Sequence, residues 1–151
     1  GGNGCLNVLI GTQALLERAR ARLPHFPGSA LRGGPLELED LIRAARGSDA
    51  LALEILAFAG ERLGDGLGNL LNVLDPGVLV VGGDLTRAGE ALLGPLRRAM
   101  RRRTLAGGAT EDRVVRSQAD AQSVALGAAT AILHAALESR ELALVAGEGG
   151  T

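Results

Sequence analysis

Cys5 closes a glycine turn, Gly1-Gly2-Asn3-Gly4, and is followed at once by an amphipathic run. That pattern suits a tight loop delivering one thiolate to a metal. Structural zinc takes four protein ligands, usually Cys or His, and the chain holds one Cys and two His. The remaining donors are therefore expected upstream of Gly1, in a longer parent protein. A second place with chemical potential is Gly82-Gly83, which follows the apolar run Val78-Leu79-Val80-Val81. Glycines at a strand end let a backbone approach a phosphate or nucleoside, and a following helix offers N–H groups. The spacing matches neither the dinucleotide fingerprint nor the P-loop, so a plain structural turn stands beside a nucleotide-type cleft.

Other polar features have simpler readings. Arg97, Arg98, Arg101, Arg102 and Arg103 form a basic run without interleaved aromatics for base stacking. A helix C-terminus favours such cations through its dipole, and a solvated helix end accounts for them. His25 and His134 have no Cys, Asp or Ser at motif spacing and read as surface or packing residues. Paired carboxylates, a nucleophile elbow and a Walker motif are all absent from the sequence.

The elements that must position these residues follow from periodicity and punctuation. Leu15, Leu16, Ala19 and Leu23 recur at helical spacing, with Thr12 as a start and Pro24 as a stop. Three prolines and three glycines between Pro24 and Pro35 predict a loop able to shift or cover something. A short helix is expected from Glu37 to Arg46, ending at Gly47. Asp49 then offers an N-cap to a long helix over 50–74. Its expected buried seam is Leu53, Leu56, Gly60, Leu63, Leu67, Leu70 and Leu74. Gly60, Gly64 and Gly68 lie four apart, and each costs about 1 kcal/mol against Ala in a helix. Three in register imply that another backbone, or a ligand, comes close; tight helix packing is the simpler account.

Asp75-Pro76-Gly77 is a turn. Val78–Val81 is a continuous apolar strand of the kind buried on both faces in parallel sheets. Thr86 is expected to cap a helix running to Arg103, which Gly94-Pro95 should interrupt, Pro95 opening a restarted turn. Arg113 to Ser117 is a second strand. A last helix over 120–140 carries Gly127, Ala128, Ala131 and Ala135, small residues that permit close packing. Residues 147–151 are expected to be disordered. The alternation of strand, glycine turn and helix indicates an α/β class.

Composition sets the frame. A chain of 151 residues can bury about two-thirds of its unfolded surface. Its only aromatics are Phe26 and Phe58, so Leu, Val, Ile and Ala must build the core. All sixteen basic residues are Arg, and the net charge of −1 gives no reason to expect a polyanion partner. One cysteine excludes an internal disulfide framework and fits a reducing, cytoplasmic setting. No apolar run approaches the roughly 20 residues that span a bilayer, so no membrane partner is expected.

Together these motifs resemble the ROK family of repressors, uncharacterised frames and sugar kinases. Gly1-Gly2-Asn3-Gly4-Cys5-Leu6-Asn7 is similar to the end of its signature Cys-x-Cys-Gly-x-x-Gly-Cys-x-Glu. Gly47-Ser48-Asp49 and Leu63 to Asn72 resemble its long-helix region. Asp75-Pro76 with Val80-Val81-Gly82-Gly83 looks like its nucleoside-side strand and turn. Ser117 through Gly127-Ala128-Ala129 is similar to its closing helix. The resemblance implies a helix-rich part of the C-terminal lobe of a sugar-kinase/actin-like (ribonuclease H-like) ATPase fold, over residues 1–146. It implies Cys5 as the last ligand of a structural zinc in the parent, with no zinc expected on this stretch alone. Gly82 and Gly83 would fall where family kinases hold adenosine, and Asp84 stands where a third glycine is frequent. Asn7 occupies the place of the signature Glu that contacts sugar. A carboxylate accepts sugar hydroxyls with charge-assisted strength, whereas an amide accepts more weakly and adds donors.

The phosphate-binding Asp-x-Gly-Gly-Thr and catalytic Asp of the family are not in this stretch. The first expectation is the effector-sensing and dimerisation part of a ROK transcriptional regulator, non-catalytic on its own. A sugar or sugar phosphate would be its effector, DNA would be bound through an N-terminal domain outside this stretch, and the chain would form a homo-oligomer. The alternative is a piece of an ATP- and Mg-dependent ROK sugar kinase, glucokinase-like, acting on a hexose or amino sugar.

Overall fold

The computed structural model describes residues 6–104, 113–118 and 125–136. The chain divides into two compact units, Gly1–Ser117 and Gln118–Thr151. In the first, α1 (Leu6–Ile10) and α2 (Thr12–Arg22) precede a 3-10 turn, Leu23–His25. Then come α3 (Leu38–Arg46), α4 (Ala50–Leu74), β1 (Leu79–Val81), a second 3-10 turn (Asp84–Ala88), α5 (Glu90–Arg103) and β2 (Val114–Arg116). The second unit contributes α6, over residues 125–136. The outer parts of the helix expected over 120–140, the tail 147–151 and the turn carrying Cys5 lie outside the described residues. Within α6, Leu126, Ile132 and Leu133 are exposed, and the Thr130 hydroxyl donates to the Leu126 carbonyl at 2.8 Å.

Local signals explain the helix ends. The Asp40 carboxylate accepts the Glu37 N–H at 3.0 Å, half of a capping box that starts α3. Asp49 caps α4 by accepting the Ala52 N–H at 2.9 Å. Asp75 ends α4 in the left-handed region at φ 37°, a conformation that short polar side chains tolerate. Its carboxylate accepts from Arg113 at 2.6 Å, fastening the end of α4 to the start of β2.

The core surrounds the N-terminal half of α4. Leu15, Leu41, Ile42, Leu51, Ile55 and Leu56 are fully buried there. A smaller cluster of Leu71, Leu93, Leu96, Met100 and Val114 joins the far half of α4 to α5 and the strands. Between them the glycine line makes a close contact with α5. A methyl group placed on Gly60 or Gly64 would run into the Leu92 or Leu96 carbonyl oxygen, and on Gly68 it would lie 2.6 Å from the Arg103 Cβ. The partner that comes close is thus the α5 backbone.

Three expectations about the helices change. The seam of α4 runs through Ala52, Leu56, Ala59, Gly60, Gly64, Gly68 and Leu71, while Leu53, Leu70 and Leu74 are exposed. A strict 3.5-residue repeat stays on one face only of a supercoiled helix; along a straight one it drifts by about 20° per heptad. Secondly, Thr86 does not cap α5. It lies within the 3-10 turn, and Gly89, at φ 60°, precedes α5 instead. Thirdly, α5 passes unbroken through Pro95. Proline in a helix interior removes one N–H and crowds the preceding turn; here the buried ring packs against α4 at Gly60, which has no Cβ.

β1 and β2 pair in parallel, Leu79 opposite Val114, Val80 opposite Val115 and Val81 opposite Arg116. Leu79, Val81 and Val114 face the smaller cluster. Val80 and Val115, on the other face, are 61 % and 41 % exposed. The expected double-sided burial is therefore not met in the unit that holds the strands, because α4 and α5 cover one face only among the described residues.

Candidate functional site

In open α/β sheets, ligands collect at the carboxyl ends of parallel strands. Here those ends bring Gly82 beside Ser117, with Gly83 and Asp84 following in the chain. The Ser117 N–H donates to the Val81 carbonyl at 2.8 Å, and a Cβ added to Gly82 would touch the Ser117 Cβ at 3.4 Å. Gly83 has φ 100°, a conformation that L side chains rarely adopt. Gly82, Gly83 and Asp84 are all exposed. The turn is thus open, narrow-backed and carries one carboxylate. A five-residue 3-10 turn follows it, so the long α5 helix does not start where the sequence pattern placed it.

Asn7 stands on another element. It is exposed on the five-residue α1, and its carbonyl accepts the Gly11 N–H at 2.9 Å. Ile10 of α1 and Leu85, one residue after Asp84, both pack on the larger core cluster, so the two regions are anchored to common apolar ground. Cys5 lies outside the described residues. Among the described residues no group of three His, Cys, Asp or Glu could hold a metal. With one Cys and two His in the sequence, a four-ligand site of Cys and His would need donors beyond this stretch.

The arginine run proves partly structural. Arg97 pairs with Glu90 at 2.8 Å and donates to the Val114 carbonyl at 3.3 Å, tying α5 to β2. Arg103 pairs with Asp65 at 3.1 Å, tying it to α4. His25 lies in the first 3-10 turn and His134 on α6.

Two polar features were not singled out beforehand for what they do. Asp49 is more than a cap. It also accepts the Ala30 N–H at 2.7 Å and the Ser29 hydroxyl at 3.1 Å, clamping the Pro24–Pro35 loop to α4. Burial pushes its carboxyl up, but hydrogen bonds from Ala52, Ala30, Ser29 and Leu51 outweigh this and hold it below the ordinary value. The clamped loop and the α3–α4 corner wall a half-open groove of about 790 Å³. Arg22 on α2 grips Glu54 on α4 at 2.8 and 3.1 Å. That bidentate bond lowers the Glu54 carboxyl, against a smaller upward push from burial and with help from the charges of Arg22, Arg18 and His25. The Pro/Gly density announced the loop; nothing local announced that Asp49, twenty residues from Ser29, would hold it.

The ROK family profile matches residues 1–135, and the chain belongs to that family. It is 30 % identical over 129 residues to the DNA-binding transcriptional repressor Mlc of Escherichia coli K12, covering 85 % of this chain and 32 % of Mlc. It is 31 % identical over 102 residues to a glucokinase of Halalkalibacterium halodurans, covering 64 % of this chain and 31 % of that enzyme. The chain therefore spans about a third of the length of these relatives. Its fold superposes on a ROK family glucokinase from Streptomyces griseus, solved in complex with glucose and AMPPNP, with TM-score 0.68 and 27 % identity over 81 % of this chain and 42 % of that one. The architecture is accordingly a helix-rich α/β piece of the kind that ROK sugar kinases contain. No helix among the described residues is long and apolar enough to cross a membrane.

Proposed function

We propose that this chain is the sugar-sensing and dimerisation part of a ROK transcriptional regulator. The observation that carries this reading is the match to the repressor Mlc, 30 % identical along 85 % of the chain. Two residues agree with it. Asn7 offers an amide where the family signature has a carboxylate, which suits recognition of a sugar without the stronger acceptor of a kinase. Asp84 places negative charge on the turn that would face a nucleotide, and like charges repel. In the parent protein, Cys5 completes the zinc knuckle, an N-terminal domain binds DNA, and a sugar or sugar phosphate is the effector. The protein is cytoplasmic and self-associates. Exposed Leu70, Val73 and Leu74 on α4 supply apolar surface of the kind that recruits partners.

The second reading is a piece of a ROK sugar kinase using Mg-ATP. It is supported by the glucokinase likeness in sequence and fold. The test is calorimetric titration of the full-length protein with hexoses and amino sugars, alongside gel-shift of DNA from its own upstream region. The regulator reading expects saturable sugar binding that releases or tightens the DNA complex. Sugar binding with no DNA affinity under any condition overturns it.

A further inference from the structure

We infer that the groove beside the Pro24–Pro35 loop is a docking site for an acidic peptide segment of a partner protein, read chiefly by Arg43 and Arg32. The groove measures about 790 Å³ and runs between that loop and the α3–α4 corner. Contacts within the chain set its shape. Leu31 and Leu36 plug the loop into the larger core, and Asp49 ties Ser29 and Ala30 to the start of α4. The Arg32 guanidinium braces the loop on the Leu23 and Phe26 carbonyls at 2.8 and 3.1 Å. A site held in this way has little left to order when a ligand arrives.

The hydrogen-bonding inventory of the groove is lopsided. Its two lining carboxylates, Asp40 and Asp49, are both occupied. Asp49 accepts from Ala52, Ser29 and Ala30, and its charge sits at the positive end of the α4 dipole. Asp40 accepts from Arg43 and from the Glu37 N–H. The donors are less fully used, since a guanidinium carries five N–H groups. Arg43 bonds Asp40 through one Nη, and its side chain is 71 % exposed. Arg32 bonds neutral carbonyls and pairs with no carboxylate among the described residues. Exposed His25 and Ser48 add an imidazole and a hydroxyl to the lining. Filled acceptors beside spare donors call for an acceptor-rich ligand, and a carboxylate meets a guanidinium with bidentate, charge-assisted bonds. Sites for small molecules enclose most of their ligand, whereas this groove is half-open and far larger than one small anion. Gly28, Ala30, Gly34 and Ala50 keep its walls low, so an extended backbone can lie close. Phe26 and Pro27 offer apolar surface to the side chains on either side of the acidic one.

The experiment uses the 151-residue chain labelled with nitrogen-15 and two octapeptide libraries that differ only in a fixed central residue, Glu or Gln. Peptides retained by the protein are resynthesised singly and titrated against its amide signals, with acetate and inorganic phosphate as lone-anion probes. The Glu library is expected to yield binders that shift the amides of residues 25–36 and 43–50. Arg43→Gln, at an exposed position, is expected to weaken them about ten- to a hundredfold, the loss of one hydrogen bond between charged groups. Arg43→Lys should recover part of that loss. Arg46→Gln, on the same helix but outside the groove lining, should leave binding unchanged, and the Ile55 and Leu56 amides report that each variant is folded. Equal yield from the Gln library overturns the acidic assignment. Acetate or phosphate binding as tightly as the best peptide overturns the peptide as occupant. Equal losses at Arg43 and Arg46, shifts confined to other residues, or no binder from the Glu library overturn the site itself. None of these outcomes bears on the regulator reading, which the sugar and DNA titrations judge separately.

Discussion

Along the inner face of the first half of α4, apolar side chains pack without a gap: Leu51, Ala52, Ile55, Leu56 and Ala59 are completely buried. At the strand end the same chain leaves Val78 and Val80 more than half exposed and offers an open Gly82–Asp84 turn. The first region satisfies itself. The second is shaped on one face and presents the other, as a surface that meets ligands or further protein must. The glycine line of α4 marks the passage between them, because there close packing depends on the absence of side chains rather than on their fit.

The sharpest way to break this contrast is substitution along α4. Gly64→Val should cost about 3 kcal/mol of stability or abolish folding, through clash with the Leu96 carbonyl and with the Ala99 Cβ, 2.7 Å from an added carbon. Gly66→Ala, two residues on and with nothing within 4 Å, should instead gain about 0.5–1 kcal/mol from helix propensity. Urea melts of both variants check the pair, and similar signs for the two would refute the backbone contact. Leu56→Ala should cost about 2–5 kcal/mol, whereas Val80→Thr on the exposed sheet face should stay within about 0.5 kcal/mol. An equal loss at Val80 would mean that this face is covered in solution.

A smaller effect separates the two regions by pH. Asp49 and Glu54 both have folded-state pKa values below their unfolded ones. Their contribution is therefore complete above the ordinary carboxylate range, near pH 4, and is lost as pH falls through the lowered values. Asp49→Asn should flatten the acid limb of the stability curve and loosen residues 29–31, leaving the Gly82–Asp84 turn unmoved. Asp49→Ala should cost about 1 kcal/mol at neutral pH, as loss of a helix cap does. Ser48 sits at φ 60°, so Ser48→Gly should relieve strain and give a slight gain, the smallest of the set; a clear loss would show that its side chain contributes more than the strain costs.

How much of this was legible in the sequence differs by feature. Caps and stops were readable because they are local: Asp49, Gly47, Pro24 and the Asp75-Pro76-Gly77 turn act on their immediate neighbours. The glycine register of α4 was readable as an approach, and the approaching partner turned out to be α5. The seam misled because leucines at 3.5-residue spacing imitate a coiled coil, while the actual buried line follows the smaller residues that let α5 in. Pro95 was read as a break because its tolerance depends on Gly60, thirty-five positions earlier. Of the candidate site, Gly82 and Gly83 could be picked from type and order. Thr86 could be picked out, but as a helix cap; its grip on Gly83 needs the fold, since only burial reveals that its hydroxyl has a backbone oxygen as partner.

The claim on which the functional account turns is that the parent protein senses sugar without phosphorylating it. The direct measurement is sugar-phosphate formation by the full-length protein with Mg-ATP and a panel of hexoses and amino sugars. The account predicts product at the level of the sugar-free control, whereas turnover of about 1 per second or faster, ordinary for an enzyme, would contradict it.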